Sequence, residues 1–151
     1  MKRIAICALL LLATMASAQT DNPKYDKALA ESLGSDDYGM KSYVLAILKT
    51  GTNTTADKET TSRLFRGHMD NMGKLVDEGK LIVAGPLGKN DKAYRGIFIL
   101  NAKTVEEAAA WVATDPAVQG KLLDVELYPW YGSAALPEYM KAHEKIERKK
   151  P

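Results

Sequence analysis

Two side chains in the sequence have the types and surroundings that proton-transfer chemistry needs. His68 follows Leu64 by four positions and precedes Leu75 by seven, so it falls within the apolar stripe of a predicted helix. An imidazole at such a position must be neutral or paired. The ring is therefore either a general acid/base or a core histidine satisfied by a backbone carbonyl. The other histidine, His143, lies in a charged tail and is expected to be solvated.

A carboxylate, Asp115, is the candidate partner of His68. It ends a predicted helix and precedes Pro116, and an Asp before Pro commonly starts a turn. Capping of the turn at residues 116–120 is therefore the default interpretation. The alternative is a hydrogen bond to His68, which would orient the ring and raise its basicity for general acid/base catalysis. The residue pattern leaves both interpretations open.

Several other chemistries lack the residues that they require. One cysteine and one well-placed histidine cannot build a zinc site of the usual Cys/His spacing, so no metal is predicted. The sequence has no G-x-S-x-G, Walker or G-x-G-x-x-G motif, and it therefore gives no support to a serine hydrolase, an NTPase or a dinucleotide-binding enzyme. We predict no cofactor.

The first 18 residues are predicted to be a secretory signal peptide. Lys2 and Arg3 precede an unbroken apolar run at residues 4–13, and residues 16–18 form a small-x-small cleavage site. A transmembrane anchor is the alternative, but the run is shorter than the roughly 20 residues that a span needs. We expect the mature chain to begin near Gln19 and to be exported, either to a bacterial periplasm or out of the cell.

Removal of this leader changes the charge and the thiol content of the chain. Without Lys2 and Arg3, 19 basic residues face 19 acidic ones, so the chain lacks the cationic surplus of nucleic-acid binders. Cys7 is removed as well, which leaves no disulfide to stabilise the mature domain. Because 46% of the residues are hydrophobic and 26% are charged, we predict one soluble globular domain with no nucleic-acid partner and no membrane contact after cleavage.

The elements that must position His68 and Asp115 follow from hydrophobic periodicity. Residues 19–41 are predicted to be an N-terminal arm, with a short helix that Asn22 caps and Gly34 ends. The predicted core elements are a strand at 42–49, a helix at 60–78, strands at 81–84 and 94–100, a helix at 104–115 and a strand at 122–128, followed by a helix at 137–148. This order is that of a ferredoxin-like βαββαβ fold of the α+β class, an antiparallel sheet with both helices on one face.

The first three strands are apolar on both faces, but two helices can cover only one face of the sheet. A second copy of the sheet is the simplest cover for the other face, and it predicts a symmetric homodimer. The N-terminal arm and the C-terminal helix are the alternative cover.

Four segments of the chain resemble the YciI-like, or YCII-related, domain family: GHMDNMGKLVDEGKLIVAGPL, YRGIFIL, TVEEAAAWVATDPAV and ELYPW. The resemblance assigns residues 42–132 to this domain and leaves residues 133–151 as a C-terminal helix and tail. It implies a dimeric α/β barrel of ferredoxin-like subunits, with a small-molecule pocket in which His68 and Asp115 fall on the family's His and Asp positions. Relatives of this barrel type also bind haem, so a histidine-ligated haem is an alternative to the absence of a cofactor.

The predicted fold and the family resemblance together indicate four candidate substrate-binding residues. Gly85 and Pro86 lie where the second strand leaves the sheet, although termination of the strand explains them equally. Trp130 could wall an aromatic pocket or pack at a dimer edge. Arg95 could bind an anionic substrate or pair with a carboxylate of the fourth strand, Asp124 or Glu126.

Two functional hypotheses follow. In the first, an exported YciI-like protein binds a small organic acid, aromatic or lactone-like, and His68 acts as the general acid/base of an isomerase or lyase while Asp115 orients it. In the second, the protein is a non-catalytic binding or assembly module and the His/Asp pair is structural.

Overall fold

A computed structural model of the chain describes residues 22–149. The predicted signal peptide and the predicted mature start at Gln19 lie outside these residues. The described elements are the helix α1 (Lys27–Leu33), the strand β1 (Met40–Thr50), the helix α2 (Lys58–Asp77), the strands β2 (Leu81–Pro86) and β3 (Tyr94–Leu100), the helices α3 (Val105–Val112) and α4 (Pro116–Gln119), the strand β4 (Leu123–Ser133), a 3₁₀ turn (Leu136–Tyr139) and the helix α5 (Met140–Ile146).

The four strands form one antiparallel sheet in the order β2-β3-β1-β4. In the centre of the sheet, Ala46 of β1 lies between Phe98 of β3 and Leu127 of β4. β1, α2, β2 and β3 are followed by α3, α4 and β4 along the chain. The predicted ferredoxin-like α+β arrangement is confirmed.

The main core lies between the sheet and the helices. Its buried members come from all four strands, from α2, α3 and α4, and from the loop after β3: Val44, Ala46, Leu48, Leu75, Leu81, Phe98, Leu100, Ala102, Ala108, Val112, Ala117 and Leu123. Because side chains alternate along a strand, every second residue of β1 and β3 faces this core. All helices that contribute to this core therefore pack on one face of the sheet.

The opposite face, called the open face below, is only partly covered. Tyr43, Ile82 and Ile99 form a second buried cluster there, and Leu136 from the 3₁₀ turn packs against it. The hydroxyl of Tyr139 donates to the carbonyl of Ile82. The residues after β4 from position 136 onward, called the C-terminal segment below, thus cover part of the open face. This agrees with one of the two covers that the sequence predicted.

Apart from β3, the predicted elements differ from the observed ones by a few residues at one or both ends, and named contacts explain the differences at α1, β1 and β4. Asp26, rather than Asn22, caps α1 by accepting from the backbone N–H of Leu29, because Asn22 forms a separate turn with Tyr25. β1 begins before the predicted position 42, and β4 continues to Ser133 beyond the predicted 128. Met40 pairs with Ser133, so each strand extends the other. None of the described helices is long and apolar enough to cross a membrane.

Candidate active site

His68 and Asp115 lie side by side in the structure. The distance from His68 Nδ1 to Asp115 Oδ2 is 2.6 Å, and only 8% of His68 and 2% of Asp115 are exposed. They are the only charged or titratable residues of the described core that are buried to this extent, apart from Tyr43 on the open face. The structure therefore brings together the two residues that the sequence singled out.

The helix α2 presents His68 to the core. Asp57 starts this 20-residue helix by accepting from the backbone N–H of Thr60. The imidazole stacks on Phe98 of β3 with a ring-centroid distance of 6.0 Å, and it meets the edge of Phe65 at 6.2 Å. The ring is thus held between the helix layer and the sheet by two aromatic side chains.

Asp115 makes both of the hydrogen bonds that the sequence left open. Its Oδ1 accepts from the backbone N–H of Ala117 at 2.8 Å, which caps α4, and its Oδ2 contacts His68. α4 occupies the predicted turn at residues 116–120 and begins with Pro116. Because the cap fixes the carboxylate, the cap also orients the group that binds the imidazole.

This geometry determines which nitrogen of the neutral His68 ring carries the proton. A carboxylate accepts hydrogen bonds, so Nδ1 is the donor and Nε2 is unprotonated in the neutral ring. Within residues 22–149 no buried side-chain nitrogen or oxygen lacks a hydrogen-bond partner, and the hydrogen bond of His68 runs through Nδ1. Nε2 therefore keeps contact with solvent, in agreement with a side chain that is 10% exposed. Nε2 is therefore the ring nitrogen that could accept a proton.

The structure does not bring Arg95 to this pair. Arg95 is exposed, lies at an irregularity in the pairing of β1 with β3, and takes part in none of the ion pairs of residues 22–149. Its predicted alternative partners, Asp124 and Glu126, pair instead with Lys49 at 3.7 and 2.6 Å. Hydrogen bonding to Lys49 lowers the pKa of Glu126.

Trp130 also lies away from the pair, on the open face. It pairs with Tyr43, and the two rings are 5.6 Å apart. Its indole covers Gly132, where an added Cβ would lie 2.3 Å from the ring. Trp130 is 36% exposed, so one side of the ring packs on its own sheet and the rest faces outward.

Gly85 and Pro86 are the last two residues of β2. This agrees with the prediction that they terminate the strand. Pro86 pairs with Gly96, and an added Cβ at Gly96 would lie 2.8 Å from the carbonyl oxygen of Gly85. The backbones of β2 and β3 thus approach closely at this end of the sheet, and proline, which has no N–H, closes the strand. Neither residue makes a hydrogen bond to His68 or Asp115.

A loop packed against α4 contains the Asn53-Thr54-Thr55 glycosylation motif. Asn53 Nδ2 donates to the carbonyl of Gly120 at 2.9 Å, and its Oδ1 accepts from the backbone N–H of Ala56. The amide that a glycan would modify is therefore used in holding this loop to α4.

A cleft of about 980 Å³ lies between the N-terminal arm and the end of β4. It is lined by residues of α1, by the turn at residues 35–39 and by Ala134 and Ala135, and by none of the predicted site residues. One wall is fixed by Asp36, which accepts from the hydroxyl of Tyr131, and this hydrogen bond lowers the pKa of Asp36. No group of three or more His, Cys, Asp or Glu side chains within residues 22–149 could hold a metal ion.

Sequence reasoning missed the residues that surround the pair. Phe65 and Phe98 flank the imidazole, and Gly67 and Pro116 form the contact between α2 and α4. The one available signal was the glycine in the middle of a strongly periodic helix, because such a glycine destabilises a helix unless close packing requires it.

A family model and solved structures show which known proteins the chain is similar to. No curated protein matches the chain. Among solved structures, the chain is similar to the 5-chloro-2-hydroxyhydroquinone dehydrochlorinase of Burkholderia phenoliruptrix AC1100 in complex with 2,5-dihydroxybenzoquinone, with 21% identity, 58% of this chain and 92% of that chain covered, and a TM-score of 0.39. A family model for the YCII-related domain matches residues 43–131. This span contains β2 and β3, most of β1 and β4, and both His68 and Asp115. The chain therefore belongs to the YCII-related domain family.

Proposed function

We propose that this protein binds a small organic acid and catalyses proton transfer on it, as an isomerase or a lyase. His68 is the general acid/base and Asp115 is its orienting partner. The observation that carries the proposal is the 2.6 Å contact between His68 Nδ1 and a buried carboxylate oxygen, which leaves Nε2 as the accessible basic nitrogen.

The proposed reaction needs only the movement of a proton and an electron pair. Nε2 takes a proton from an acidic carbon of the substrate, and Asp115 stabilises the imidazolium that forms. In an isomerisation the ring returns that proton to a different carbon. In an elimination the electron pair of the broken C–H bond forms a C=C bond, the leaving group departs with its own bonding pair, and His68 releases the proton to water.

The surroundings of the ring favour a substrate with a flat apolar part. Phe65 and Phe98 pack on the imidazole, so a molecule that reaches Nε2 enters an aromatic environment. Neither His68 nor Asp115 is paired with a lysine or an arginine among the described residues. The acid group of the substrate is therefore bound at some distance from the pair, and Arg95 is not assigned to it.

The first test is turnover of a panel of small acids, with lactones and aromatic hydroxy acids included. General acid/base catalysis contributes about 100- to 10,000-fold, so we expect His68→Gln to lose activity by that factor and to remain folded. His143→Gln is the matched control, because His143 lies on the exposed helix α5, and it should retain full activity. Equal activity in the His68→Gln variant and the native protein would exclude the proposed mechanism.

The capping contact of Asp115 favours a second candidate function, a binding or assembly module in which the pair is structural. Asp115 stabilises α4 by accepting from the backbone N–H of Ala117. This structural role explains a buried carboxylate even in the absence of catalysis. In this case no panel compound raises the melting temperature, and His68→Ala and Asp115→Ala both unfold the protein. Ligand-dependent stabilisation that is lost in His68→Gln would exclude this candidate.

The proposal includes two features of the whole protein. The first is export through the leader at residues 1–18, which is tested by sequencing the N-terminus of the exported protein and should give a start at Gln19. The second is a homodimer formed through the open face, which is supported by exposed aromatic side chains of β4 such as Tyr128.

A further inference from the structure

The His/Asp pair lies beside a close contact between α2 and α4. Gly67 directly precedes His68, and Pro116 directly follows Asp115. A Cβ added to Gly67 would lie 2.8 Å from Cγ and 3.1 Å from Cβ of Pro116. The proline ring therefore fills the space that any other side chain at position 67 would need.

The other end of α4 is held as well. A Cβ added to Gly120 would lie 2.5 Å from Cδ1 of Leu64, so α2 also packs directly on the end of α4. The carbonyl of Gly120 accepts from Asn53 Nδ2 at 2.9 Å, which ties α4 to the loop before α2. α4 therefore cannot adjust freely to a larger side chain at position 67.

We propose that Gly67 is a positioning residue whose missing side chain sets the distance between His68 and Asp115. This inference rests on the proposed function, because it concerns the geometry of the same pair. Apolar carbons pack at about 3.5–4.0 Å, so a methyl group at position 67 would push Pro116 away by about 0.7–1.2 Å. Because Asp115 is joined directly to Pro116, a movement of that size along the line from Nδ1 to Oδ2 would lengthen the present 2.6 Å contact beyond the hydrogen-bonding range of about 2.7–3.2 Å.

The experiment compares three variants of the mature protein by ¹H and ¹⁵N NMR of the histidine rings. Gly67→Ala adds the methyl group. Gly73→Ala is the matched control on the same helix, because an added Cβ there meets nothing within 4 Å. Gly67→Ala with Pro116→Ala removes Cγ and Cδ of the proline and leaves only Cβ, 3.1 Å from the added methyl group, so most of the collision is relieved.

We expect the resonance of the hydrogen-bonded Nδ1 proton of His68 to be lost in Gly67→Ala, kept in Gly73→Ala and regained in the double variant. A Gly67→Ala variant that keeps this resonance, or a double variant that does not regain it, overturns the proposal. Should Gly67→Ala fail to fold, the double variant must fold and show the resonance, and its failure to do so likewise overturns the proposal.

These measurements need no substrate, so they are independent of the proposed reaction. Where a substrate is turned over, Gly67→Ala should lower kcat by about 100-fold, the cost of misplacing a catalytic group by about 1 Å. If no acid is turned over but the resonances change as expected, the proposed function fails while the positioning role of Gly67 stands.

Discussion

At the scale of single residues, Asp115 divides its two oxygens between two functions. One oxygen caps α4 through Ala117, and the other binds His68. The hydrogen bond from the backbone N–H of Ala117 holds the Asp115 carboxylate in one orientation. The oxygen that binds His68 is therefore fixed as well. The imidazole is confined by aromatic rings on the other side, which makes this contact a rigid one.

Two substitutions of Asp115 separate these functions. An Asn at position 115 still caps α4 through its carbonyl oxygen, but its amide donates to Nδ1 of His68, so the proton of the ring moves to Nε2. We expect ¹⁵N NMR to show this change of tautomer at His68 and no change at His143. Asp115→Ala loses the cap and leaves a buried ring nitrogen without a partner, which should lower the free energy of unfolding by about 2–4 kcal/mol. An unchanged Nδ1 signal in Asp115→Asn would contradict the assigned hydrogen bond.

At the scale of elements, the hydrophobic pattern of a segment was sufficient to predict whether that segment forms a helix or a strand. The apolar period of α2 and the alternation of β3 determined their type, and β3 has the predicted bounds. The extension of β4 past Pro129 was not predictable from its own residues, because its pairing with Met40 depends on the partner strand. The contact of Gly67 with Pro116 depends on how two helices cross, which spacing along the chain does not specify. Arg95 was proposed for the pocket from its strand alone, and the structure leaves it unpaired with the carboxylates expected to bind it.

The C-terminal segment is an element whose role can be tested directly. Deletion of residues 136–151 should expose Ile82 and Ile99 on the open face, lower the melting temperature and increase the binding of a hydrophobic dye. Tyr139→Phe removes only the hydrogen bond to Ile82 and should cost about 0.5–1.5 kcal/mol. Ile146→Ala is the control, since Ile146 is 78% exposed and its loss should change neither property. A deletion variant as stable as the native protein would mean that this segment does not cover the face in solution.

At the scale of the whole molecule, the open face is divided into two regions. The C-terminal segment covers the side near β2, while Tyr128 and Trp130 of β4 remain 46% and 36% exposed. Half-buried Leu45 is paired with Tyr128 across the sheet, so the apolar surface continues onto the interior strand β1. A partner subunit would therefore dock on the β1 and β4 side rather than over the whole sheet.

This division makes the proposed dimer sensitive to one position. Tyr128→Lys places a charge in the uncovered region, where burial of an unpaired ammonium is unfavourable, and we expect it to convert a dimer into a folded monomer by light scattering at micromolar concentration. Tyr25→Lys is the matched control, because Tyr25 is 61% exposed on the N-terminal arm and away from the sheet, and it should leave the dimer intact. A native protein that is monomeric at this concentration would exclude the dimer. In that case the C-terminal segment would be the principal cover of the open face, and the active site would have to be complete within one chain.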